Sequence, residues 1–350
     1  MLRRITAILS VMMMLVPLMT GCTTVERKSV SRTFFMFDTV VSITLYGTDD
    51  EGLMEDCRSF LEGFEDVFSA TRETSELYKV NHAEYADGAD TEISADLYTA
   101  ISRSLEWCNN TNGRFDITVR PVSELYNFGT EDFTPPLFDD IKEGLKRVSY
   151  KAVKVYEKDG KYYLHRDMPG MMLDLGAVSK GYISDRLREH ILSLGIESAL
   201  IDLGGNICGV GEKYDGEGGK TPFRIEVYNP LAGVTGESSD ENNTNGIVPC
   251  VLKVSDRCVI TSGVYQRCAN VDGLTYHHLL DARTGLPADG NVESVTIICR
   301  EGLMGDIFST SLFLMAEEGL TIALPEDTGA VILYKDGTYA YQGNALDLID

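Results

Sequence analysis

From Leu173 the chain reads LDLGAVSKGYISDRL, and from Ser198 it reads SALIDLGG. The first stretch has the pattern of a strand end, a turn of small residues and the start of a helix. Ile183, Leu187 and Ile191 mark one apolar face of that helix. The second stretch is a short apolar run closed by two glycines, as in a buried strand. Together they predict a strand–helix–strand unit around which the other elements must be arranged. The turn is also a chemical feature, because a helix N-terminus presents free N–H groups and partial positive charge to anions. The G-x-x-x-x-G-K-[ST] spacing that wraps phosphates is absent, and the basic residue at the turn is a lone lysine, Lys180.

The remaining elements follow from periodicity and turn residues. FFMFDTVVSITLYG (Phe34–Gly47) is rich in β-branched and aromatic residues and reads as one strand. Leu53 to Ser69 is helical, with Leu53, Cys57, Phe60, Leu61, Phe64 and Phe68 three and four apart, and a second helix covers Ala95–Asn109. The stretch from Val148 to Gly176 reads as a β-meander turning at Lys158-Asp159-Gly160. Gly233–Gly246 is polar, acidic and glycine-bearing, the composition of a mobile surface loop. Strands resume at Cys250–Ile260 and Ser294–Cys299, a helix spans Gly305–Ala316, and two strands, Ala330–Tyr334 and Thr338–Gln342, close the chain. With no repeat and no proline-rich linker after residue 32, one packed α+β unit is the simplest account.

Charge narrows the possible partners. The net charge is −23, and removing residues 1–21 takes away two arginines and no acid, leaving −25. Such a chain lacks the basic patches that neutralise nucleic-acid phosphates, so any phosphorylated ligand must meet local cations. The removal is expected because Arg3 and Arg4 precede the apolar run Ile5–Met19, which ends in Thr20-Gly21-Cys22. That is the pattern of an export signal, and the run is too short to span a bilayer comfortably. Its end resembles a bacterial lipoprotein box, which implies lipidation of Cys22 and an extracytoplasmic, membrane-anchored protein. Seven further cysteines are scattered without a C-x-x-C pair, so disulfides are open and a zinc knot is disfavoured.

Three segments carry candidate chemistry. In GDIFSTSL (Gly305–Leu312), Asp306, Ser309 and Thr310 share one helix face, a hard oxygen set suited to Mg²⁺, although Asp306 as a helix N-cap is the simpler alternative. In YHHLLDARTG (Tyr276–Gly285), His277 and His278 point to opposite sides of a strand, so only one can face a site, and Asp281 lies three residues beyond His278. A plain turn accounts equally well for Asp281–Gly285. VITSGVYQRC (Val259–Cys268) places Thr261-Ser262-Gly263 at a strand end, suited to phosphate contacts. A Ser262–His278–Asp281 hydrolase is set aside because no G-x-S-x-G elbow occurs.

Taken in order, these segments resemble the FAD:protein FMN transferases, the ApbE family. The likeness runs from about Phe34 to Leu320 and rests on FDTVVSITLYG, FSATRETSELYKVN, GRFDITVRPVSELYNFG, LDLGAVSKGYISDRL, ALIDLGGNICGVG, ITSGVYQRC, YHHLLDARTGLP and GDIFSTSLFLM. It implies a single α+β domain over residues 33–350, with mixed or antiparallel sheets and packed helices. A lipoprotein signal peptide (1–21) and a lipidated Cys22 with its tether (22–32) precede it. The resemblance makes Asp174 a FAD contact, Lys180 a cation or hydrogen-bond donor for the dinucleotide, and Ala177 a backbone-carbonyl ligand of Mg²⁺. Asp306 and Thr310 match the metal's side-chain ligands, with Ser309 alongside. His278 matches the histidine near the scissile pyrophosphate, oriented by Asp281, and Arg114, Phe115 and Asp116 fall in another FAD-lining segment. Phe37 stands where a ring-contacting methionine is common, Thr71 where an aromatic is common, and Tyr126 where tryptophan is frequent.

The implied reaction is Mg²⁺-dependent transfer of FMN from FAD to a threonine or serine hydroxyl, with release of AMP. The implied acceptor is an exported or membrane redox protein carrying a motif such as D-G-x-T/S-G-A-T. Two alternatives stand beside it: a Mg²⁺-dependent FAD pyrophosphatase giving FMN and AMP, and a flavin-binding lipoprotein without catalysis.

Overall fold

Eight strands lie side by side in chain order, each antiparallel to the next. They are β1 (Ser29–Met36), β2 (Thr39–Tyr46), β3 (Ser198–Leu203), β4 (Asn206–Gly211), β5 (Cys258–Gly263), β6 (Val292–Cys299), β7 (Gly329–Tyr334) and β8 (Tyr339–Gly343). The computed structural model describes residues 28–82, 88–129, 133–215, 219–231, 250–316, 322–344 and 349. The expected signal peptide, Cys22 and the loop Gly233–Gly246 lie outside the described residues.

Side-chain alternation along the strands builds two cores on the two faces of this sheet. Val41, Ile43 and Leu45 of β2, Ala199, Ile201 and Leu203 of β3, and Ile260 of β5 face the larger core. Leu200, Ile207, Val259, Ile298 and Val331 point the other way, against the ribbon formed by Phe223–Glu226 and Val251–Val254. β6 is buried along its whole length because both of its faces are covered. Four helices cover the larger core: α1 (Glu51–Phe68), α2 (Ala95–Asn110), α3 (Ser179–Ser193) and α4 (Gly302–Ala316). α3 and α4 pack on each other and on the sheet, with α1 against α3 and α2 against α4.

The α3–α4 contact is unusually close, and glycine is the reason. A Cβ on Gly181 would sit 2.1 Å from the Gly302 carbonyl oxygen, and one on Gly302 would sit 2.5 Å from that of Gly181. The first turn of α4 is therefore pressed against α3, where water cannot satisfy its amides. Asp185 of α3 caps it across the interface, accepting hydrogen bonds from the N–H groups of Gly302 (2.7 Å) and Leu303 (2.9 Å). Burial raises the Asp185 pKa to about 6, against the pull of those two amides.

The expected α+β class holds, and several element readings change. Phe34–Gly47 is not one strand: Met36 pairs directly with Thr39 across a two-residue turn at Phe37-Asp38. Both turn residues have φ near +55°, the left-handed region, as a two-residue hairpin demands. Phenylalanine there gives no turn signal, which is why the run reads as continuous. The strand expected before α3 is also absent. Met171–Gly176 forms only a single bridge, Met172 to Val119, since β3 already has neighbours on both sides. Its backbone is satisfied otherwise: the Asn81 side chain brackets Leu173 with two 2.8 Å bonds, and the Asp174 N–H donates to the Ile117 carbonyl at 2.7 Å. Cys250–Ile260 is two strands in separate sheets, broken near Asp256, where φ is +51°. Of the expected meander, the hairpin Val153–Lys158/Lys161–Arg166 is present, but its third strand is Asp90–Ile93, from earlier in the chain. Cys208 and Cys258, directly opposed on β4 and β5, form a disulfide.

Because its Cβ meets backbone rather than a movable side chain, Gly181→Ala is expected to force α3 and α4 apart. The cost should be about 3 kcal/mol, at the upper end for an overpacked core. Urea denaturation monitored by circular dichroism would measure it; an unchanged midpoint would contradict the close crossing.

Candidate active site

The α3–α4 crossing brings the Lys180 turn against the middle of α4. α3 opens at Ser179, so the Gly181 N–H belongs to its first turn and has no acceptor within the helix. It donates instead to Asp306 Oδ2 at 2.6 Å. Asn206, at the start of β4, donates its side-chain amide to Asp306 Oδ1 at 2.7 Å. Asp306 is thus no N-cap, and the cap of α4 is Asp185. Burial raises the Asp306 pKa, opposed first by the Lys180 charge and then by these two donors. Each carboxylate oxygen keeps a lone pair that neither donor uses.

One turn on, Thr310 lies on the same face of α4. Its hydroxyl is 3.2 Å from Ser262 Oγ of β5, and Ser262 is 2.8 Å from Ser309 Oγ. Ser309 is fully buried and donates to the Asp306 backbone carbonyl at 3.0 Å, so its role is to tie helix to sheet. A buried carboxylate and a threonine hydroxyl one helical turn apart are hard oxygen donors. That set fits a small divalent cation that also takes ligand oxygens. Among the described residues, no group of three or more histidines, cysteines or acids is placed to hold a metal.

Lys180 faces this site from the first turn of α3. Among the described residues it makes no ion pair, although the chain carries 54 acidic residues. Its charge acts on two neighbours, favouring the anionic form of Asp306 and disfavouring the protonated form of His278. The half-buried His278 is pushed down to about 3, chiefly by burial and then by Lys180, so the imidazole is neutral at physiological pH. Its Nδ1 faces the Arg267 carbonyl at 3.4 Å, and a carbonyl can only accept, so Nε2 keeps the free lone pair. His277 points elsewhere, as expected from alternation. It is buried, donates from Nε2 to the Ala288 carbonyl at 3.0 Å and packs edge-on against Phe313.

Asp281 does not orient His278. Its carboxylate is bound by the Arg283 guanidinium, with contacts of 2.6–3.1 Å, and by the Arg283 N–H. It serves the plain turn that is the equal alternative for this segment, in which the Thr284 and Gly285 N–H groups donate to the Asp281 carbonyl. Asp116 is likewise spent inside its own loop, taking the Thr118 N–H (2.8 Å) and hydroxyl (2.7 Å) and the Tyr150 N–H (2.9 Å). Burial raises its pKa, and it has little left to offer a ligand. Phe115 is core, with its N–H on Thr111, while the Arg114 carbonyl receives the Ala282 N–H at 3.0 Å. This segment therefore braces the Asp281 turn.

Asp174 is half-buried beside the Lys180 turn, held by the Ser123 hydroxyl (2.6 Å) and the Gly176 N–H (3.0 Å). Phe37 occupies the β1–β2 turn with its N–H on Glu65 (2.9 Å), and Arg72 reaches the same carboxylate at 3.4 Å. Glu65 thereby links the Phe37 turn to the exposed segment containing Thr71. A left-handed phenylalanine is costly, and such residues concentrate at functional sites. Sequence reading missed Asn206, Asp185 and Glu65. Asn206 alone carried a signal, since it follows the Gly204-Gly205 turn between β3 and β4.

The model of the ApbE family matches residues 37–332. A FAD:protein FMN transferase of Klebsiella pneumoniae (strain 342) is 30% identical over 313 residues, covering 89% of this chain and 91% of that protein. One from Treponema pallidum (strain Nichols) is 29% identical, covering 88% and 84%. The crystal structure of the ApbE protein from Thermotoga maritima superimposes with a TM-score of 0.77 at 28% identity, covering 91% of this chain and 98% of that one.

With a pKa near 3, the His278 ring in the ligand-free protein should show no NMR titration between pH 5 and 8. A midpoint near 6.5 would contradict the burial and the Lys180 proximity that hold it neutral.

Proposed function

The chain belongs to the ApbE family, and from that premise we propose that it is a FAD:protein FMN transferase acting on a threonine or serine hydroxyl and releasing AMP. One observation carries the reading: about a single helix crossing lie a lysine without an ion pair among the described residues, a neutral histidine and hard oxygen donors, within an anionic chain. Mere flavin binding needs neither a base nor those oxygens.

The acceptor oxygen bonds to the FMN-side phosphorus as the bridging P–O bond breaks, and AMP leaves with the bridging oxygen and its electron pair. His278 Nε2 takes the hydroxyl proton, a role its neutral state permits at pH 7. Lys180 lies where it can meet the pyrophosphate charge. Mg²⁺, when bound, would neutralise and orient the pyrophosphate, and Asp306, Thr310 and the Ala177 carbonyl would hold it. The acceptor is an exported or membrane redox protein with a D-G-x-T/S-G-A-T-like motif. Lipidation at Cys22 would hold the enzyme at the membrane where such acceptors sit.

The test mixes the full-length chain with FAD, Mg²⁺ and an acceptor domain carrying that motif, and reads intact acceptor mass alongside AMP and free FMN. The expected result is an FMN adduct on the acceptor, abolished by EDTA. Asp306→Ala should slow it at least about 100-fold, and His278→Ala by about 10²–10⁴-fold. AMP with free FMN and unmodified acceptor would make the protein a pyrophosphatase. Unchanged FAD would leave a binding protein and overturn the mechanism.

A further inference from the structure

Three hydroxyls, Thr310, Ser262 and Ser309, form a chain that ends on the Asp306 backbone carbonyl. Each hydroxyl has one proton to give, and the carbonyl can only accept. Ser309 must therefore spend its proton on Asp306, at 3.0 Å. That leaves Ser309 as acceptor from Ser262 at 2.8 Å, so the Ser262 proton is spent as well. Ser262 can then only accept from Thr310, at 3.2 Å. The direction of every proton is fixed by the last link.

From this order we propose that Ser262 is a positioning residue that turns the Thr310 proton into the sheet and its lone pairs outward. The inference rests on the reading of Asp306 and Thr310 as cation ligands and deepens it. A hydroxyl whose proton faced the ligand space would repel a cation, and one free to rotate would have to be ordered on binding. Ser262 removes both costs before the ion arrives. The chain is well isolated, since Ser309 is fully buried, Thr310 is 6% exposed and Ser262 is 8% exposed, so water competes poorly for these protons. Asp306 is treated alike: Gly181 and Asn206 each occupy one lone pair from the protein side. Every proton at this spot points toward protein, and the unused acceptors are what remain.

The motif also gains a meaning. Ser262 is part of ITSG in β5, and its side chain faces α4 because Ile260 two residues earlier does. A phosphate-contact reading of the same serine needs its proton pointed at the ligand, which the chain to Ser309 forbids.

The test uses Mn²⁺ as the probe, followed by electron paramagnetic resonance on the full-length chain with FAD, in Ser262→Ala, Ser309→Ala, Asp306→Ala and the unaltered protein. Loss of an outer partner typically costs metal affinity 10–100-fold. Ser262→Ala should thus weaken Mn²⁺ binding about tenfold and raise the KM for Mg²⁺ to match, with kcat at saturating Mg²⁺ nearly unchanged. Ser309→Ala should shift both in the same direction, because it removes the acceptor that sets the order. Thermal melts identify any variant that fails to fold, and Ser309→Ala tests the chain independently of Ser262. Unchanged Mn²⁺ affinity in Ser262→Ala, with binding lost in Asp306→Ala, would overturn the role of Ser262 and leave the cation site standing. Unchanged affinity in Asp306→Ala would overturn the cation site itself.

Discussion

Two backbones touch at Gly181 and Gly302, and the closeness of that contact sets what the site can present. With any side chain at either position, the Gly181 N–H could not reach Asp306 from across the helix interface. That one donation satisfies a first-turn amide of α3 and stabilises a carboxylate in the middle of a buried helix. Asp185 makes the approach tolerable by satisfying the first amides of α4, which are too close to α3 to be hydrated. The sheet completes the arrangement, with β4 holding Asp306 through Asn206 and β5 holding Thr310 through Ser262.

Electrostatics at the site run against those of the whole chain. A net charge of −23 repels a dinucleotide, so attraction has to be local. In the proposed reaction Lys180 would provide it, since no carboxylate of the described residues claims it, and its field helps keep His278 neutral. The same cation disfavours protonation of His278 and favours the anionic form of Asp306. The Asp281–Arg283 and Asp116–Thr118 interactions are self-contained and stiffen the surrounding turns.

Much of this was legible in the residues, and the gaps have physical causes. Asp306 and Thr310 are one helical turn apart, so their convergence is local and visible in GDIFSTSL. The Lys180 turn and the opposite aims of His277 and His278 are also local. Asn206 and Gly181 reach Asp306 from 100 and 125 residues away, and no periodicity encodes such pairings. Asp281 has two equal readings in the sequence, histidine partner or turn residue, and only the Arg283 contact, which no pattern near His278 encodes, decides for the turn. Phe37-Asp38 hid a hairpin because the turn breaks its own chemical rule, with a left-handed phenylalanine where glycine or asparagine is favoured. The strand–helix–strand reading failed at Leu173, whose backbone is satisfied by the side chain of Asn81 instead of a neighbouring strand.

The central claim is that the α3–α4 crossing assembles one cation-holding oxygen set. Anomalous diffraction from crystals grown with FAD and Mn²⁺ tests it most directly. The account predicts a peak bonded to Asp306, Thr310 and the Ala177 carbonyl, at about 2.0–2.2 Å as for hard octahedral cations, with Lys180 and His278 facing the FAD pyrophosphate. A peak elsewhere, or FAD bound with these three oxygens making no metal contact, would contradict it.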